Sequence, residues 1–252
     1  MRATLRWSAA ATLTLGLVVA VSAQPPDGGF GMMMGGGGGP AALVTSKTVL
    51  ADIKATEEQT GKLKEWAREY VAKQREKMMA MREELQGLDP MERLAKFTEM
   101  QTKATAEAYK QLGDVLKEDQ VKRLKQIDLQ VAGLGAFSRA EVATALKITD
   151  EQKDKLRDVQ TALGAEMRDL MEEYGFGRPG GGGGGFPKLD RDKLAEMQKK
   201  QAAIAKEAMG KVTAMLTDDQ KTAWKELVGE PIDVAKVQSE SRPQFQRKKK
   251  DD

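Results

Sequence analysis

One short phrase, an apolar residue followed by Thr-x-x-Gln, recurs along this chain and constrains its fold more than any other feature. It stands at Ile148-Thr149-Asp150-Glu151-Gln152, at Ala55-Thr56-Glu57-Glu58-Gln59 and at Leu216-Thr217-Asp218-Asp219-Gln220. A fourth copy, Leu116-Lys117-Glu118-Asp119-Gln120, has lost its Thr. Each reads as a helix start. The Thr hydroxyl accepts from the N–H of the third helical residue, and the Gln at that position reaches back to the Thr N–H, closing a capping box. The acidic pair between them sits at the positive end of the helix dipole. Thr56, Gln59, Gln120, Thr149, Gln152, Thr217 and Gln220 are therefore expected to be helix caps, and that role accounts for them without any ligand.

The copies lie in two matching halves. Shifted by 93 residues, Val44, Val49, Ile53, Thr56 and Gln59 fall on Phe137, Val142, Leu146, Thr149 and Gln152, and the stripe Leu63, Trp66, Tyr70, Met78 and Met81 falls on Leu156, Val159, Leu163, Met171 and Tyr174. Shifted by 100, Phe97, Gln101, Leu112, Leu116, Gln120 and Leu124 fall on Met197, Gln201, Val212, Leu216, Gln220 and Trp224. The offset grows because Gly180 to Gly185 lengthens one loop. Spacings of three and four mark one face of a helix, and register held this long points to an internal duplication. The expected fold is all-α: two tandem related units, residues 43–135 and 136–229, each an elongated antiparallel hairpin of two long helices with short flanking helices. Helices are expected near 46–54, 57–86, 91–115, 118–132, 139–147, 150–174, 190–215 and 218–228.

The ends differ in kind. Arg2 and Arg6, an apolar run from Trp7 to Val21 and Val21-Ser22-Ala23 read as a signal peptide over residues 1–23. No later run is long and apolar enough to span a bilayer, so the mature chain is expected to be soluble, exported to the periplasm, and not stably inserted in the membrane. Residues 24–42, with Met32-Met33-Met34 and Gly35 to Gly39, read as a flexible tether, and residues 230–252 as a polar, solvated tail. The chain has no Cys and no His. Disulfides are excluded, and with them the commonest metal ligands and general base. No nucleophile–base–orienter set can be assembled, so the sequence points away from an enzyme and toward no cofactor. A net charge of +3 gives no reason to expect nucleic acid.

Helix-opening Leu-Thr-x-x-Gln motifs in an exported, Cys-free, all-helical chain resemble the Spy/CpxP family of periplasmic stress proteins. Thr56/Gln59, Thr149/Gln152 and Thr217/Gln220 carry the match; Lys117 departs from it. The resemblance implies a long helical hairpin flanked by two motifs, and subunits that pair into a thin curved cradle. Four motifs instead of two imply two family units fused, packed as a pseudo-dimer within one chain, with a homo-oligomer as a further possibility. Family members act as ATP-independent chaperones, as adaptors of an envelope-stress sensor, or in heavy-metal response. Unfolded or partly folded proteins are thus the first expected partners. An envelope sensor protein or an ion is the alternative.

Other patterns have plainer readings. Gly175-Phe176-Gly177-Arg178-Pro179-Gly180 has the G-x-G-x-x-G spacing but follows a helix, contains Pro and lacks the strand that a dinucleotide site needs. Met32-Met33-Met34 and Met78-Met79-Met81 suit a soft metal only with help from Cys or His, so no metal site is assigned. Carboxylate neighbours such as Glu83-Glu84, Glu172-Glu173 and Asp218-Asp219 do not face one another on a helix. The row Trp66, Tyr70, Met78, Met81, Phe97, Tyr109, Met197 and Met209 reads first as interhelical core. It is also the candidate client-binding surface, because Met and amphipathic aromatics re-pack against varied segments. Lys62, Lys64, Arg68, Lys73, Arg75 and Lys77 would add positive charge beside it.

Overall fold

The computed structural model describes residues 39–175 and 190–241. The signal peptide, nearly all of the tether, the Gly180–Gly185 loop and the last residues of the tail lie outside these. The described residues form an all-α fold: α1 (Pro40–Leu43), α2 (Lys47–Asp52), α3 (Glu57–Gln86), α4 (Pro90–Leu112), α5 (Glu118–Ala132), a 3-10 helix (Gly133–Ser138), α6 (Ala140–Ala145), α7 (Asp150–Glu173), α8 (Arg191–Met215), α9 (Asp218–Val228) and α10 (Val234–Ser241). At about 1.5 Å per residue, the 30-residue α3 runs about 45 Å. Helices α3 and α4 form one hairpin and α7 and α8 another.

The short helices end alike. Lys54 and Lys147 both take φ 51°, the left-handed conformation that closes a helix. The Ala55 N–H donates back to the Leu50 carbonyl, and the Ile148 N–H to the Ala143 carbonyl, each at 2.9 Å. This turn delivers the chain to Thr56 and Thr149, so the cap of each long helix begins where the short one stops.

Two apolar clusters hold the bases of the hairpins. The first joins Leu43, Val49, Leu63, Leu112, Leu124 and Ile127, and the second joins Phe137, Val142, Leu146, Val212 and Trp224. Trp224 lies against Phe137 with ring centroids 4.4 Å apart. Helix α5 serves both: Leu124, Ile127 and Val131 enter the first cluster and Leu129 the second. The ends of α5 and α9 meet, where the Gln130 amide donates to the Val228 and Glu230 carbonyls at 2.7 Å and accepts from the Ile232 N–H at 3.0 Å. Arg123 adds a bidentate pair to Asp52 (2.6 and 3.1 Å) and a bond to the Glu230 carbonyl.

Two expectations are corrected. The tether does not reach residue 42, because α1 begins at Pro40 and buries Pro40, Ala41 and Leu43. Nor is the segment after Ile232 a solvated tail throughout. Helix α10 crosses from the second half to the first and buries Val234 and Val237 beside α1, α2 and α5. Two valines among polar residues give a weak pattern on paper; an apolar groove already built by other helices is what selects them. Glu240 then accepts from the Thr48 N–H (2.8 Å), the Ser46 hydroxyl (2.7 Å) and the Thr48 hydroxyl (3.2 Å), capping α2 from the far end of the chain. The Thr48 N–H first, then the Ser46 hydroxyl, hold its carboxyl below the usual range, with Lys236 assisting and burial opposing. A lowered carboxyl value contributes above the unfolded value of about 4.3 and is lost as pH falls through the folded one. The Thr48 amide resonance should therefore titrate with a midpoint below that of an ordinary Glu, and Glu240→Gln should abolish the titration.

Candidate functional site

The motif residues do more than cap. Thr56, Thr149 and Thr217 each accept from the N–H of the Gln three residues on, at 3.1, 3.2 and 3.2 Å, and each Gln side chain accepts from its Thr N–H. At the fourth copy only the reciprocal half forms. Lysine has no acceptor, and the Lys117 N–H donates to Gln120 Oε1 at 3.0 Å.

The glutamines also pair across each unit, which sequence reasoning missed. Gln59 Nε2 donates to Gln120 Oε1 at 2.9 Å, and Gln120 Nε2 returns a bond at 3.2 Å. Gln152 and Gln220 do the same at 2.8 and 2.9 Å. The remaining donors go to main chain: Gln59 to the Val115 carbonyl, Gln120 to that of Ile53, Gln152 to Met215 and Gln220 to Leu146. Each amide thus uses both functions at once. The two motifs of a unit lock together and hold the last turns of the preceding helices. A clue lay in the sequence, since a capping box accepts Glu as readily as Gln and all four copies have Gln.

A second buried polar site stands between the halves. Asp128, 1% exposed, accepts from Arg139 Nη1 at 2.7 Å and Nη2 at 3.3 Å and from the Tyr109 hydroxyl at 3.0 Å. Burial, then the Asp128 charge, pushes the Tyr109 phenol well above its usual value, so it remains a donor. Lys125 lies over its ring at 5.3 Å.

The candidate client-binding residues divide. Met197 and Met209 are 2% and 9% exposed and enclosed between helices, so they present almost no surface. Tyr109 is committed to Asp128. Trp66, Tyr70, Met78, Met81 and Phe97 are half-buried along the α3/α4 seam. Trp66 Nε1 donates to Gln111 Oε1 at 2.8 Å and the Tyr70 hydroxyl to the Ala104 carbonyl at 2.7 Å, with the two rings stacked 5.0 Å apart. Beyond Tyr70 the seam loosens. Among described side chains, none on α3 is fully buried between Ala67 and Leu85, and none on α4 before Ala108. The other hairpin encloses Leu170, Met197, Gln201 and Ala205. The basic flank is also reduced, because Lys62 is paired with Glu58 at 2.7 Å and Lys77 with Glu107 at 3.4 Å. Lys64, Arg68, Lys73 and Arg75 are exposed.

Among the described residues no cluster of three or more acidic groups is placed to hold a metal, and no helix is long and apolar enough to cross a membrane. Neither a curated protein nor a solved structure gives a match to the chain. The model of a family described as LTXXQ motif family protein matches residues 134–228, the stretch that holds the Gln152–Gln220 lock and both of its intact capping boxes. Residues 134–228 thus match the LTXXQ motif family, the family of Spy/CpxP-like periplasmic proteins.

Proposed function

We propose that this protein is an exported, non-enzymatic, chaperone-like stress protein that holds unfolded or aggregation-prone polypeptides without nucleotide, on the seam of the α3/α4 hairpin. One observation carries the reading: the two hairpins are built on the same plan, yet only one is closed. Where α7 and α8 enclose Leu170 and Met197, the outer part of α3 and α4 leaves Met78, Met81 and Phe97 half-exposed. Unbranched Met side chains adapt to varied apolar partners at small rotamer cost, and Phe supplies a large apolar surface. In this reading the closed hairpin is the support and the open one the working surface, and the two descend from one duplicated unit packed as a pseudo-dimer.

Equimolar protein should suppress the aggregation of an unrelated denatured client monitored by light scattering. Replacing Met78, Met81 and Phe97 together by Gln should remove most of that protection. These side chains carry little of either buried cluster, so thermal unfolding should change little. Absence of protection at any ratio, or full protection by the triple variant, refutes the assignment.

A further inference from the structure

Helix α10 is a poor match for the surface it covers. It packs on α1, α2 and α5, which bring Leu43, Val49, Leu50, Ile127 and Val131 to the first cluster. A helix lying in an apolar groove sets residues i, i+3, i+4 and i+7 against it. Counted from Val234, the other three are Val237, Gln238 and Ser241. The two valines are 3% and 0% exposed. The remaining pair is polar and gains nothing in return. Gln238 Oε1 and the Ser241 hydroxyl are shut from solvent with no partner among the described residues, and Ser241 as a whole is 8% exposed. An enclosed polar atom without a partner is destabilising. Half of the groove is therefore filled by side chains of the wrong kind.

The groove does not need α10 in order to exist. Helix α1 also packs on α3 and α4, and the Asp52–Arg123 ion pair ties α2 to α5. The Ser46 hydroxyl accepts from the Val49 N–H at 3.2 Å, a cap for α2 that is independent of Glu240. Upstream of α10, Gln130 and Arg123 hold the chain at Glu230 and Ile232, which makes a fixed pivot. A helix of eight residues does not sustain itself in water. Its release is a local opening, less costly than unfolding the whole.

We infer that the groove between α1, α2 and α5 is a binding site for an amphipathic helical segment of another polypeptide, with α10 as its weak resident occupant. The preferred segment carries apolar side chains at all four inward positions. It also carries a carboxylate one residue before the last of them, where Glu240 meets the Thr48 N–H and the Ser46 hydroxyl. This groove lies at the base of the α3/α4 hairpin, and Met78, Met81 and Phe97 take no part in it. The two surfaces are therefore separable by mutation.

Hydrogen exchange of the full chain should show the α10 amides opening ahead of those of α3 and α5, at a rate that low denaturant leaves unchanged. Fluorescence anisotropy should then compare two labelled peptides of residues 230–241, one unaltered and one carrying Gln238→Met and Ser241→Ala. The altered peptide should bind the full chain at least about tenfold more tightly, because it leaves no enclosed polar atom unpaired. Val234→Asp/Val237→Asp in the chain expels the resident and should tighten both peptides, by the reciprocal of the fraction already open. The Gln variant of Met78, Met81 and Phe97 should bind them unchanged. Exchange of α10 only through global unfolding, or equal affinity for the two peptides, would overturn the inference. So would loss of binding in the seam variant, or α10 protection that rises with protein concentration, which would mean that a second copy fills the groove. The exchange and the two-peptide comparison use the unaltered chain, so they decide the matter even if the aspartates impair folding.

Discussion

Replacing Gln220 by Glu should lower the stability of the fold by about 3–5 kcal/mol at neutral pH, the cost of a buried charge without a partner. The Gln220 side chain is 9% exposed, its Nε2 donates to the Leu146 carbonyl at 3.1 Å and to Gln152 Oε1 at 2.9 Å, and its Oε1 already takes the Thr217 N–H and the Gln152 amide. A carboxylate keeps the acceptor side and loses both donors, so two oxygens would face two others. The chemistry also fixes a pH signature. Burial against acceptors raises the introduced carboxyl above its unfolded value of about 4.3, so the penalty is present at neutral pH and is relieved as pH falls through the raised folded value. The variant should therefore be more stable at mildly acidic pH than at neutral pH, in urea titrations at both. Gln220→Ala should lose stability without that dependence, and an equal loss at every pH for Glu would mean that the amide pair is not what holds the motifs together.

Arg139→Met should be as damaging by another route. It leaves the Asp128 carboxylate, 1% exposed, with the Tyr109 hydroxyl as its remaining side-chain partner, and stranding a buried charge costs about 3–5 kcal/mol. For a chain of this size the melting temperature should fall on the order of 10 °C. The double variant Asp128→Asn/Arg139→Met should recover much of the loss, because the Asn oxygen still accepts from Tyr109 and no charge is left behind. If the double variant were no better than the single one, Arg139 would matter for its packing rather than its charge.

Which parts of this structure could be read from the chain follows from the range of each interaction. Thr56, Thr149 and Thr217 are legible because a cap is settled within four residues. The long helices are legible because Leu63, Trp66 and Tyr70 repeat at helical spacing. The Gln59–Gln120 and Gln152–Gln220 pairs were hidden, joining positions 61 and 68 residues apart in side chains whose local role already explained them. Met197 and Met81 show the limit at the candidate site. Both lie on apolar stripes of equal quality, yet one is enclosed and the other half-open, and only the packing of the facing helix decides which. Helix α10 was illegible for the same reason, since Val234 and Val237 acquire meaning from a groove built by residues 41–131.

The crossing of α10 bears on how such a chain is made. Ser46 and Glu240 are bonded across 194 positions, so a polypeptide delivered from its amino terminus exposes the first cluster long before the piece that covers it arrives. Until then the valine-lined slot beside Leu43 and Ile127 stands vacant. Closing so distant a contact is slow, and a chain interrupted before residue 234 would carry its damage at the beginning rather than at the cut.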